Sequence, residues 1–257
     1  MNFGTAGVKV SPMALGLGFR GQFDRDEAER VILSALDSGI NLIDCANVYG
    51  FMDDRRNIGS SEQVLGKALK GRRDDVVITS KVFSPIGDGP NDYGVSRYHI
   101  MREVERSLTR LDTDHIDVYI FHGVAEMNLF EEQFRTMETL IQHGKIRYVG
   151  VSNFQAWQVV QALQAQKLLN AQPLIAVQNP YSLMNRTQED ELFPMVRETG
   201  VGIMAYSPLG VGLLSGTYRP DEVPDDSTLW GSKRKGQIAT YMRGRAARVI
   251  VAVDEIA

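Results

Sequence analysis

DRDEAERVILSALDSGINLID, residues 24–44, reads as one helix and one strand with their boundaries marked. Ala28, Val31, Ile32, Ala35 and Leu36 fall on one face at helical spacing, so a helix here buries a stripe and leaves its charges outside. Asp24, followed three residues later by Glu27, makes a capping box for the first orphan N–H groups. Gly39 stands where a helix commonly ends in a left-handed residue. The apolar run Ile40–Asp44 follows at once, as a strand covered on both faces of a parallel sheet would.

The same unit repeats in both directions along the chain. Strands are predicted at Met13–Leu17, Ile40–Asp44, Val76–Lys81, Ile116–Phe121, Ile146–Val151, Ile175–Gln178 and Val201–Tyr206. Further helical faces come from Ile100, Val104, Leu108 and Leu111, and from Phe130, Phe134, Met137 and Ile141, with Gly144 and Gly200 closing later helices. Strict alternation of strand and helix predicts an α/β fold with right-handed crossovers. The length, 257 residues, suits a (β/α)8 TIM barrel, which typically needs ~250. Residues 1–257 are read as a single barrel domain. Seven strands are found, and Arg243–Ala257 reads as a helix with Ala246, Ile250, Val253 and Ile256 close to one face. The eighth βα unit is missing from this reading. The expectation is therefore a natural protein that continues past Ala257, or a partner segment that fills the gap.

Composition narrows the function. A net charge of −4 argues against nucleic acid or an anionic membrane as the main partner. The single cysteine, Cys45, excludes an intrachain disulfide, and the first ten residues hold no signal-peptide core, so the cytoplasm is the expected address. The four histidines, 99, 115, 122 and 143, show no ligand spacing. GLGFRG at 16–21 matches a dinucleotide fingerprint literally, and Asp44 lies about where a ribose-binding acid would. In that fingerprint the helix begins within the glycines and meets the pyrophosphate, whereas here the cap delays it past Asp24.

The chemistry lies elsewhere. Asp44, Lys81 and His122 end consecutive strands, and Tyr49 follows Asp44 in the next loop. Catalytic groups of a parallel barrel come from the carboxyl ends of several strands. A free phenol titrates near ~10, too high for ready proton exchange, and a neighbouring ammonium lowers that value. Asp44 would keep a partly buried Lys81 charged, and His122 could hydrogen-bond and polarise a carbonyl oxygen. Such a site donates a proton to a developing alkoxide but holds no nucleophile and no metal, so a hydride must come from a bound cofactor.

These residues resemble the aldo-keto reductase family. DCANVYG at 44–50 looks like its active-site segment, with Cys45 where threonine is commoner, and GSSEQVLG at 59–66 looks like its second-helix signature. GVSNF at 150–154, VQNPY at 177–181 and AYSPLG at 205–210 are similar to its nicotinamide-side segments. The resemblance runs in order from about Leu15 to Gly216. It implies that Ser152, Asn153 and Gln178 hydrogen-bond the nicotinamide carboxamide and that Tyr206 stacks on the ring. Ser207, Leu209 and Gly212 would approach the pyrophosphate. It implies NADPH as cofactor, with NADH possible, and a small carbonyl compound as substrate; oligomeric state is left open.

Thr217 replaces a lysine that the family subgroup usually carries, and its main 2′-phosphate contacts lie beyond this chain's end. Lys233, Arg234 and Lys235 either substitute in part or form a solvated charge run. Phe19, Tyr49, Phe83, Tyr93 and Trp230 suggest an aromatic substrate pocket or, equally, loop packing. Arg20 reads as a substrate-carboxylate contact or as a solvated side chain. Two other functions stay in view. One is a nucleotide-sensing regulatory subunit, as some relatives serve potassium channels; the other is an aldolase with Lys81 as Schiff base.

Overall fold

The computed structural model of the protein describes residues 1–125, 129–220, 222–232 and 234–256. The chain forms two compact units, Met1–Gln178 with Met195–Met204, and Asn179–Pro194 with Ala205–Ala257.

Strand and helix alternate as the sequence predicts: β1 Ala14–Gly16, α1 Arg25–Asp37, β2 Leu42–Asp44, α2 Ser60–Ala68, β3 Val77–Val82, α3 Arg97–Leu111 and β4 Ile116–Phe121. There follow α4 Phe130–Gln142, β5 Ile146–Ser152, α5 Ala156–Leu168, β6 Ala176–Pro180, α6 Leu192–Thr199 and β7 Gly202–Tyr206. The strands form one sheet in chain order, seven among the described residues. Parallel register pairs Gly16 with Asp44, Asp44 with Thr79, Lys81 with Ile120, Phe121 with Val151, and Ser152 with Gln178. That register brings the carboxyl ends of neighbouring strands to one rim.

The first unit's inner core contains Leu42, Val77, Val118, Ile120, Ile175, Ala176 and Met204. These side chains come from both sides of the sheet's strand order, and only a sheet curved into a barrel brings them into one cluster. Phe3, Ala6 and Val10 join the same cluster. They belong to an N-terminal hairpin closed by an antiparallel bridge between Asn2 and Lys9. The sequence reading assigned no element to this segment, because three apolar residues in a short hairpin have neither helical nor strand period.

The cap of α1 is half the expected box. Asp24 Oδ1 accepts from the N–H groups of Asp26 and Glu27 at 2.8 and 3.0 Å. The reciprocal bond comes instead from Gln22, whose Oε1 accepts from the Asp24 N–H at 3.0 Å. Glu27 is thereby left to pair with Arg30.

In the second unit, Leu213, Leu214, Tyr218, Trp230, Ile238 and Ile250 pack together with α7 Lys235–Tyr241 and α8 Gly244–Ile256. The expected helix at the end of the chain forms. Its packed face is Val249, Ile250 and Val253, and Ile256 is exposed. Among the described residues no helix is long and apolar enough to cross a membrane.

Candidate active site

β2 and β3 bring Asp44 and Lys81 together at the rim. Lys81 is fully buried, and its Nζ donates to both Asp44 oxygens at 2.7 and 2.8 Å and to the Cys45 carbonyl at 2.8 Å. An ammonium has three donors, so every one is used. Thr79, two residues earlier on the same face of β3, donates its hydroxyl to Asp44 Oδ1 at 2.5 Å. Burial pulls the Lys81 pKa down, but Asp44, Tyr49 and Cys45 outweigh it and hold the value above that of a free lysine. Lys81 therefore has no free lone pair at neutral pH, which removes the Schiff-base reading.

Tyr49 lies with its ring centroid 4.6 Å from the Lys81 Nζ. Its hydroxyl is 3.3 Å from His122 Nε2, and the two rings meet edge to face at 5.4 Å. Lys81 does favour the phenolate, as the sequence reading expects, but burial is the larger effect and the Tyr49 pKa is raised. The phenol is thus fully protonated around neutrality. Burial, and then the charge of Lys81, push the His122 pKa down to about 3. Its Nδ1 is buried without a hydrogen-bond partner among the described residues. The site therefore offers a protonated phenol beside a neutral imidazole, two groups able to bond one oxygen.

The residues of the first unit that the resemblance assigns to the nicotinamide side adjoin His122. Asn153, in a left-handed conformation at φ 63, donates its side-chain amide to the His122 carbonyl at 2.9 Å and to Ser152 Oγ at 3.1 Å. Ser152 Oγ donates in turn to the Gln178 carbonyl at 2.9 Å. Gln178 is only 4 % exposed. A primary amide at this rim offers the donor and the acceptor that a ligand carboxamide needs, so these residues fit a nicotinamide.

In the second unit, the Tyr206 carbonyl accepts from the Tyr181 N–H at 3.3 Å. Ser207, Gly210, Val211 and Gly212 all have positive φ, a tight run of turns. Within it the Gly212 N–H is taken by the Leu209 carbonyl at 3.1 Å, so a phosphate would have to compete for it. Arg234 lies over the Trp230 ring at 5.3 Å, and Lys235 pairs with Asp226 at 2.8 Å. Lys233 lies outside the described residues.

Several sequence readings are resolved by packing. Trp230 is a core residue whose indole N–H donates to the Val211 carbonyl at 2.9 Å, and it leaves the list of pocket aromatics. Phe83 does border the site. A Cβ on Gly123, the residue after His122, would lie 2.7 Å from the Phe83 ring, so glycine there lets the ring close down. Tyr93 stacks edge-on against Phe83 and stays exposed. Gly16, Gly18 and Gly21 have ordinary φ, and a Cβ on any of them would touch nothing within 4 Å. Neither a tight turn nor a close approach requires them, so GLGFRG is not a dinucleotide fingerprint.

Sequence reasoning missed a second buried polar cluster, between β3 and its covering helices. Glu62 of α2 accepts from Ser80 Oγ at 2.5 Å and from Arg110 Nε at 2.6 Å. Glu103 of α3 accepts from Asn47 Nδ2 at 3.2 Å, which fastens the turn leading to Tyr49. This cluster gives GSSEQVLG its physical meaning: Glu62 is wholly buried, and a Cβ on Gly66 would lie 2.6 Å from the Leu111 carbonyl oxygen. The available signal was a charged residue within a run of small ones.

Comparison with known proteins bears on the same residues. The sequence model described as Aldo/keto reductase family matches residues 2–248. A Bacillus subtilis protein named uncharacterized oxidoreductase YrpG is 41 % identical over 221 residues, covering 83 % of this chain and 67 % of the relative. A probable voltage-gated potassium channel subunit beta from Oryza sativa is 35 % identical over 232 residues, 88 % of this chain and 68 % of the relative. Aldo-keto reductase YhdN of Bacillus subtilis is 32 % identical over 251 residues, 97 % and 70 % of the two chains. With a parallel barrel carrying tyrosine, lysine, aspartate and histidine at one rim, and a match along nearly its whole length, this chain belongs to the aldo/keto reductase family.

Proposed function

We propose that this chain reduces aldehydes or ketones to alcohols with a nicotinamide cofactor, NADPH in preference to NADH, using Tyr49 as proton donor. The observation that carries the reading is the protonated Tyr49 hydroxyl 3.3 Å from a neutral His122, beside a fully spent Lys81. When bound, the reduced cofactor supplies the hydride that goes to the carbonyl carbon. Tyr49 gives its hydroxyl proton to the carbonyl oxygen as charge develops there. The phenolate left behind is stabilised by the Lys81 ammonium, whose own charge Asp44 secures. His122 Nε2–H donates to the same oxygen and fixes its orientation.

Gln178, with Asn153 and Ser152 beside it, holds the carboxamide. In the second unit Tyr206 offers an aromatic face, and Ser207, Leu209 and Gly212 offer main-chain groups to a pyrophosphate. The cytoplasm is the proposed setting, and the chain acts as one catalytic barrel domain. The similarity to potassium channel beta subunits favours a second reading, a nucleotide-sensing regulatory protein on the same scaffold. Mixing the protein with NADPH and adding an aldehyde separates them. Oxidation of the cofactor in step with alcohol formation is the expected result; tight binding without turnover would favour the regulatory reading.

A further inference from the structure

Arg20 takes no part in the chemistry above, yet its position is closely set. It follows β1 by four residues, and β1 ends at Gly16, in register with Asp44. Its loop is fastened to the loop that carries Tyr49. The Leu17 N–H bonds to the Asp44 carbonyl at 2.7 Å, and the Met52 N–H bonds to the carbonyls of Phe19 and Gln22 at 2.8 and 3.2 Å. Phe19, held at φ 47, stacks on Phe51 with ring centroids 4.7 Å apart and planes within 6°.

The guanidinium itself is underused. The Arg20 side chain is 40 % exposed, and its one ion-pair partner among the described residues is Asp53, reached through Nε at a long 3.6 Å. Its terminal nitrogens have no protein partner among those residues. Lys81, a second cation at this rim, is fully buried with all donors spent. The charge of Arg20 also reaches both Tyr49 and His122, as a small influence beside that of burial. An accessible planar fork of N–H donors beside a carbonyl-reducing centre matches a carboxylate.

We infer that Arg20 selects carbonyl substrates that carry a carboxylate at the end remote from the reacting carbon. This rests on the reductase reading and names the substrate class of that site. The two terminal guanidinium nitrogens bind the anion, and the stacked Phe19 and Phe51 keep the arginine's loop in place. Asp53 competes for the same guanidinium, so it tunes the selection in the opposite direction.

The test compares para-carboxybenzaldehyde with para-tolualdehyde, which has a similar outline and no charge, by the ratio of their kcat/KM values with NADPH. The unmodified chain should prefer the carboxylated aldehyde. Arg20→Ala should lower the ratio about fivefold, as suits a half-exposed charge pair. Asp53→Asn should raise it, and added salt should narrow the difference between the proteins. A ratio unmoved by both substitutions, with para-tolualdehyde still reduced, would overturn the role of Arg20 and leave the reductase reading standing. Turnover of neither aldehyde by the unmodified chain would sink the reductase reading, and the selection with it.

Discussion

The two faces of β3 carry two buried ionic clusters that look alike on paper and differ in what they leave open. Thr79 and Lys81 point to one face and meet Asp44; Ser80, between them, points to the other and meets Glu62 with its partner Arg110. Both clusters satisfy their buried charges, as they must, since an unpaired charge away from water is costly. On the outer face Glu62, Ser80 and Ser107 are buried, and Arg110, its side chain 21 % exposed, spends Nε on Glu62 and a terminal nitrogen on Ser107. The inner cluster instead borders Tyr49 and His122, which are only partly buried and can reach a ligand. A closed network fixes the position of a strand, whereas a network with one open edge can move a proton. Asn47 joins the two, since its bond to Glu103 ties the Tyr49 turn to the outer cluster.

Three experiments would break or sharpen that contrast. The largest effect is expected on the inner face. Tyr49→Phe should lower kcat by ~10²–10⁴-fold while leaving cofactor binding and thermal stability nearly unchanged, because it removes one general acid and little packing. Lys81→Met should be similarly damaging, and the double variant less than additive, since both act on one proton. Near-normal turnover of Tyr49→Phe would take Tyr49 out of the mechanism.

The outer face should show the reverse pattern. Glu62→Ala leaves Arg110 and Ser80 without their shared acceptor, and breaking a buried pair from one side costs ~3 kcal/mol or more. Denaturant unfolding should register that loss, while kcat per folded molecule stays within a small factor of the parent. A large drop in kcat at full stability would show that the outer cluster takes part in the chemistry.

The smallest effect concerns acid. Buried His122 has a folded pKa of about 3 against an ordinary ~6.5, so between those values the unfolded chain binds the extra proton. Stability is therefore lost as pH falls through that window, by ~2 kcal/mol at pH 5 from this residue alone. His122→Gln should remove that part of the slope in urea melts at pH 7 and pH 5. Parallel pH dependence in the two proteins would mean that His122 is not held neutral by its burial.

Much of the fold was legible in the sequence because it is written in short-range patterns. The strand Ile116–Phe121 coincides with the reading, and Ile146–Ser152 and Gly202–Tyr206 differ from it by one residue at one end. The N-terminal hairpin and α7 were not legible, for they are short and are stabilised by what they pack against. At the site, Asp44, Tyr49, Lys81 and His122 were found by residue type and strand-end position. Glu62, Arg110, Glu103 and Thr79 were not: a charge within a run of small residues hints that Glu62 is buried, but nothing in a single sequence names the partners it is buried with.

Alternation of helix and strand, the starts and stops of the helices, and the chemical identity of the rim residues depend on neighbours in the chain, and the sequence alone determined them. The balance of forces on each group depends on neighbours in space. The sequence implied that Lys81 would lower the Tyr49 pKa, and it does, but only the tertiary structure reveals that burial outweighs it and keeps the phenol protonated. In the same way it turned Trp230 from a pocket residue into core, and Arg20 from one of many surface charges into a guanidinium held beside the Tyr49 loop. Desolvation and Coulomb terms are set by distance and by exclusion of water, and neither exists until the chain has folded.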